Sequence, residues 1–566
     1  MFRKNHTHTQ PALISAISDL PKNQRERLEQ SWAGTFYREF FCRVDEDNFA
    51  VLYSDQPSRP NVPVNVLVAL EAIKAGLGWS DEELYEAFLY NLQVRFALGY
   101  DRLGDGEFEI RSLYNFRRRL SEYNLKHGVN LLEQAFAGIT DQQIVELKVR
   151  TGMQRMDSTQ IASNILDASR LHLLVEGVQR LHRLLTEEEQ QTWSEWFAPY
   201  VKESSGHYAY RVKGKEATQE HVQRVGQALF ALLAGMKTKY ETQDAYRVVQ
   251  RLFEENFHVS NESVRAKENK ELPAGSLQSL DDIEATYHTK GTQHYKGYVA
   301  NVTETCDPEN EVQLITKVQV ASNTVADPSL LNEALPDLKQ RTDLHTLVTD
   351  GGFPSETNDN DLRDLEIRLI QTGIRGTKPD PNRFNLTDFQ IEQDASGHPT
   401  GVTCPNGQFA LATPGKTSGW FARFPVEACS VCPFQLNQRC RAKPQKRDPR
   451  YFIDFTLPEL AVALRRKDYI AQKQDEHNLR AAVEATVRSL KHPFPAGKLP
   501  VRGKFRMTCM VIASALHVNV RRIWRYQAET AKKTAQDAAA LFSRLCLSCQ
   551  NTLRFLSPPS LAPSLH

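Results

Sequence analysis

The sequence predicts an α+β/α/β multidomain protein, in which an all-α N-terminal domain precedes a mixed-sheet core broken by a helical insertion and a Cys-rich insertion. Three observations predict it. Residues 1–140 carry apolar side chains at helical spacing, and from Val145 the texture turns to strand-like runs in the order β-β-β-α-β-α-β. Two stretches, 167–290 and 373–470, then interrupt that order. A chain of 566 residues with 25% charged and 9% aromatic residues suits several globular domains.

In the N-terminal part, Val66, Leu67, Leu70 and Ile73 form an amphipathic stretch that ends at Gly76-Leu77-Gly78. Ser80-Asp81-Glu82-Glu83 reads as a capping box, and Leu84, Phe88, Leu89 and Leu92 follow it at helical spacing. Two helices joined by a tight glycine turn are compatible with a helix-turn-helix. The segment from Arg111 to Arg117, Arg118 and Arg119 interleaves aromatic and basic residues. It reads either as a contact for DNA phosphates or as a solvated helix face.

The core begins with Val149–Met156, which leads into Asp157-Ser158-Thr159. Leu171, Leu173, Leu174, Val178, Leu181 and Leu184 mark long helices in the first insertion. Tyr295–Val302 and Val312–Val320 predict a hairpin, Leu330–Leu338 a helix, and His345–Thr349 a strand that ends at Asp350-Gly351-Gly352. Leu365–Gln371 is a further strand. Residues 373–470 read as loops rich in Gly, Pro and Cys, Gln474–Lys491 and roughly Arg506–Lys532 as helices, and 536–566 as a partly disordered tail. The expected units are 1–140, a discontinuous core of 141–166, 291–372 and 471–535, the insertions 167–290 and 373–470, and the tail.

Charge is unevenly distributed. The net charge is +1, yet residues 301–366 hold 14 acidic and four basic residues, and 461–530 hold 14 basic and five acidic. These are either two solvated faces or carboxylates set against a basic surface, which suits metal-assisted work on a polyanion. The longest apolar runs fall short of a membrane span, and the first residues lack a signal-peptide core, so the expectation is a soluble cytoplasmic protein. Cys404, Cys429, Cys432 and Cys440 have the spacing of a four-thiolate zinc site, with reduced thiols as the alternative. Cys546 and Cys549 form a lone CxxC without a partner pair.

Asp157 and Asp350 fall at predicted strand ends, where an Asp also serves as an N-cap or turn former. A helical stretch supplies a third carboxylate, because His477, Arg480, Glu484, Arg488 and Lys491 advance by three or four along one face. With these residues the chain resembles the DDE transposases of bacterial insertion sequences. The likeness is to the group whose third acidic residue lies in a Tyr-x2-Arg-x3-Glu-x6-Lys signature. Arg480, Glu484 and Lys491 fit its spacing, and His477 stands where the family has Tyr. Residues 35–125 also resemble the helical domain that accompanies such catalytic domains.

The resemblance implies an RNase H-like core, long insertions, and Asp157, Asp350 and Glu484 as ligands of two Mg²⁺ (or Mn²⁺) ions. Mg²⁺ prefers oxygen ligands, and two such ions suit in-line displacement at a phosphate. Arg480 and Lys491 would bind phosphates near the cut. His477, Arg488, Arg502, Lys504, Arg521, Arg522 and Arg525 would add backbone affinity, as would Arg117–Arg119. The implied partners are the element's terminal inverted repeats and target DNA, held by at least a dimer. A non-catalytic DNA-binding protein and a nuclease without strand transfer are the rival readings.

Overall fold

The structure is a computed structural model, and it describes residues 1–9, 15–54, 56–57, 59–260, 263–373, 379–394, 396–415, 419–444, 450–472 and 481–555. The N-terminal region is helical, as the spacing predicts: α1 (Trp32–Glu39), α2 (Val64–Leu77), α3 (Asp81–Tyr90), α4 (Arg111–His127) and α5 (Leu131–Glu146). The Ser80 capping box forms at the start of α3, with the Ser80 hydroxyl and Glu83 carboxylate satisfying each other's backbone N–H. Gly78 ends α2 with φ at 73°, and a side chain there would also strike the Pro493 carbonyl. The solvent face of α3 carries Glu82, Glu83 and Glu86. That acidic patch by itself repels phosphates.

The central sheet contains β1 (Met153–Ala162) and, after the first insertion, β2 (Thr286–Lys290), β3 (Gln293–Thr305), β4 (Ile315–Ser322), β5 (Thr346–Thr349) and β6 (Arg368–Gln371). Its order is β2-β3-β1-β5-β6, with β4 also paired to β3. β1 runs antiparallel to β3 and parallel to β5, which in turn runs parallel to β6, so the sheet is mixed. The predicted hairpin is β3–β4, and β2 is a strand that the sequence did not signal. Helices Asp327–Arg341 and Glu356–Asp364 join β4 to β5 and β5 to β6, as expected. The order of a mixed sheet followed by helices is compatible with an RNase H-like fold.

The first insertion folds on its own apolar cluster, to which Leu171, Leu174, Val178 and Leu181 contribute. The second corrects the expectation of loops: Gln390–Gln393, Pro399–Thr403, Phe409–Pro414, Trp420–Phe424, Lys443–Pro444 and Tyr451–Phe455 make a six-stranded antiparallel sheet. Its apolar anchors are Val402, Ala422, Phe424, Ile453 and Phe455, packed against Leu460 and Ala463 of the helix Leu457–Gln472. Short alternating strands whose inward residues include Ala and Gly give a weak signal, which is why the stretch reads as loop.

Two helices complete the core, here called the cover helix (Ala481–Lys491) and the long helix (Lys504–Phe555). The long helix runs beyond the expected end near Lys532 and through the first part of the tail, as far as Phe555. The stretch from Ser557, expected to be disordered, lies outside the described residues. One apolar cluster joins its residues Met507–Val520 to the N-terminal helices and to Tyr298, Val302 and Ile315 of the sheet. Asn519 seals that junction, bonding both the N–H and the C=O of Ile315 at 2.8 and 3.0 Å. Among the described residues, no helix is long and apolar enough to cross a membrane.

Candidate active site

β1 carries the first expected carboxylate, but in mid-strand rather than at the end. β5 accompanies β1 only as far as Arg155↔Val348, whereas β3 pairs with it through Ala162↔Gly297. Asp157 therefore lies just beyond the point where the parallel neighbour stops. Asp350 is the first residue after β5, whose last residue is Thr349. Asp157 is buried, at 9% exposure.

Side chains alternate along a strand, so Arg155, Asp157 and Thr159 share one face. The cover helix lies over that face. Thr159 accepts a hydrogen bond from Lys491 Nζ at 2.7 Å, and the Gln160 carbonyl accepts a second at 3.3 Å. Arg155 Nε donates to Glu304 Oε1 at 2.6 Å, and Thr486 of the cover helix donates to Glu304 Oε2 at 2.7 Å. Asp157 is thus bracketed by two residues that each lead to the cover helix. Burial holds the Lys491 ammonium below its ordinary pKa, against the opposing pull of Asp157.

Asp350 follows β5 in a turn and accepts from the Gly352 N–H at 2.8 Å. Asp327, at the start of the helix after β4, accepts from Ser158 Oγ at 2.6 Å. A methyl group at Gly352 would stand 2.8 Å from Asp327 Oδ2 and 3.0 Å from Asp350 Oδ1, so both carboxylates border one point. Glu484 lies on the exposed side of the cover helix, whose Val483, Thr486, Val487 and Leu490 are buried. It is two helical turns before Lys491, on the same face. His477 and Arg480 lie outside the described residues.

The donors fit a hard divalent cation, being carboxylate oxygens drawn from two neighbouring segments of a sheet and from a helix above it. Among the described residues, however, no three His, Cys, Asp or Glu side chains converge closely enough to hold a metal ion. The thiols behave similarly. Cys404, Cys432 and Cys440 all act electrostatically on Cys429, whose thiol burial and these neighbours push up to about 11. A four-thiolate donor set would suit zinc, but the four cysteines, all among the described residues, do not converge closely enough to hold a metal ion.

The basic residues divide by their contacts. Arg117 is engaged in ion pairs with Glu71 and Asp81 at 2.6 and 2.7 Å. Arg522 is paired with Glu304 at 2.8 Å. Arg119 lies over the Tyr53 ring, and Arg502 is held by the Asn164 carbonyl and Asp281. Arg521 is half-buried, its guanidinium pKa lowered by burial and by Arg525. Arg118, Arg488, Lys504 and Arg525 are exposed, Arg118 in a helical pair with Glu122.

Sequence reasoning missed Glu304 and Asp327. The signal for Glu304 was a carboxylate inside the strand-like run Val302-Thr303-Glu304-Thr305, where a charge has to find a partner.

A mixed sheet with carboxylates beside one seam and a helix over that face is compatible with enzymes that cut phosphodiesters. Residues 403–524 match the family described as "Transposase DDE domain". That match supports a DDE transposase, and with it DNA as the partner. The matched stretch includes Glu484 and Lys491. No curated protein and no solved structure matches.

Proposed function

We propose that the chain is the transposase of an insertion sequence, binding the element's terminal inverted repeats, cleaving at its ends and joining the freed 3′ ends to target DNA. What supports this reading is Asp157 on β1, Asp350 directly after β1's parallel neighbour β5, and a helix bearing Glu484 and Lys491 that is tied to β1 through Thr159. In this reading Asp157, Asp350 and Glu484 hold divalent cations, Mg²⁺ or Mn²⁺. Such ions supply activation of the attacking hydroxyl and neutralisation of the leaving oxygen. Lys491, already desolvated beside β1, binds a phosphate of the cut strand as a point charge, and Arg480 binds another by its fork. Arg118, Arg488, Lys504 and Arg525 add sequence-independent affinity, whereas Arg117 and Arg522 are left out because their charges are spent internally. The four cysteines bind a structural zinc ion.

The test incubates the full chain with labelled element ends and a target plasmid, with and without Mg²⁺, beside Asp157→Ala, Asp350→Ala and Glu484→Ala. Joined products that disappear in all three variants are expected. Cleavage without joining would favour a nuclease, and full activity in Glu484→Ala would remove the third ligand.

A further inference from the structure

We infer that Glu304 is a positioning residue, the joint that sets the strand of the first carboxylate against the helix of the third. The inference rests on the proposed metal-dependent reading and concerns a residue that makes no contact with the reacting atoms. Glu304 is fully buried, at 0% exposure. One of its oxygens accepts from Arg155 Nε at 2.6 Å, and the other meets Thr486 Oγ1 at 2.7 Å and Arg522 Nη1 at 2.8 Å. Arg155 is two residues before Asp157 on the same strand face, and Thr486 is two residues after Glu484 on the cover helix. Arg522 also donates to the Thr486 hydroxyl and brings in the long helix. A single carboxylate therefore ties together the three elements that frame the site.

The joint fixes a rotation. Residues two apart on a helix point about 200° away from each other, so holding Thr486 against the sheet turns Glu484 outward to the flank. Lys491 on Thr159 is the second anchor, about 140° further round the helix. Two anchors at different angles leave the cover helix no freedom to roll, whereas either one alone leaves it a hinge. With Glu304 fully buried between two guanidiniums, removing any one partner leaves an uncompensated charge, so the joint holds as a unit.

The test uses the full-length chain and Mn²⁺ alone, with free Mn²⁺ read by electron paramagnetic resonance and strand cleavage measured in parallel. Thr486→Val keeps the shape and removes the hydroxyl, and it is expected to weaken Mn²⁺ binding about tenfold with little change in melting temperature. Thr486→Ser restores the donor and is expected to restore affinity. Ser489→Ala, on the same helix but bonded only to its own turn at Ala485, is the control and leaves Mn²⁺ binding unchanged. Glu304→Gln, if it folds, weakens binding at least as much as Thr486→Val; if it does not fold, the Thr486 pair decides. Wild-type Mn²⁺ affinity in Thr486→Val overturns the joint, provided that Asp157→Ala does lose affinity. Should Asp157→Ala also bind Mn²⁺ as the wild type does, the metal-dependent reading fails and the joint fails with it.

Discussion

At the scale of single residues, the fate of a cation is decided by neighbours that arrive from far along the chain. Arg117 sits in a basic and aromatic run that suits phosphate contact, yet Glu71 and Asp81, 46 and 36 residues away, occupy its guanidinium. Arg117→Ala would leave both carboxylates half-buried without it. A loss of about 3 kcal/mol in urea unfolding is expected, with no change in the salt slope of DNA binding. Burial raises the Asp81 pKa, but the bonds and charges of Arg117 and Lys74 outweigh it and bring the carboxyl from 3.8 down to about 2. The ionised form is thus favoured by folding. Its stabilisation, on the order of 2 kcal/mol, is complete above pH ~4 and lost as pH falls towards 2. Acid unfolding of Asp81→Asn should lack that component. Asp157 and Asp350 stand out in the sequence because each is followed by small or polar residues, although Asp157 lies in mid-strand and not at the expected strand end. Glu304 does not stand out, since its meaning depends on Arg155, Thr486 and Arg522, whose proximity only the fold creates.

At the scale of elements, periodicity served where one face is buried and failed where packing is thin. The capping box of α3 and the helix before β5, with its apolar run Leu330–Leu338, were readable, whereas Glu356–Asp364 has Leu362 as its single apolar residue and could be placed only by the order of the strands. The second insertion was not readable, because its sheet buries small residues such as Ala410 and Ala422. Close packing of α2 on the long helix depends on Gly76, where a side-chain carbon would fall 2.0 Å from the His517 ring. Gly76→Ala is expected to cost about 1–3 kcal/mol, seen as a lower melting temperature, because neither helix can retreat from a shared core. In the second insertion, Cys429→Ser should lower the zinc content of the purified chain and expose the sheet to protease, leaving the far-UV spectrum of the helical regions intact.

At the scale of the whole molecule, the charge that sums to +1 is spent in two ways. Part of the C-terminal excess balances carboxylates elsewhere in the fold, as Arg465 does for Asp359, Arg502 for Asp281 and Arg522 for Glu304, while Arg488, Lys504, Arg506 and Arg525 face solvent. The apolar residues likewise form separate bodies. The helical insertion has its own core, whereas the N-terminal helices, the sheet and the long helix share another. Calorimetry should therefore show the insertion melting as a distinct transition, while the N-terminal helices and the sheet unfold together.

That shared core has a consequence for biosynthesis. α2 leaves the ribosome more than 400 residues before the long helix that covers it. At ordinary elongation rates the gap lasts roughly 20 to 90 seconds. Throughout that interval Val66, Leu70 and Ile73 lack a principal partner, and the nascent chain needs a chaperone or its own insertions to keep it from sticking to others. A message cut short before the long helix would yield a fragment that aggregates, so truncated products of this gene are poor candidates for competing with the intact protein on DNA.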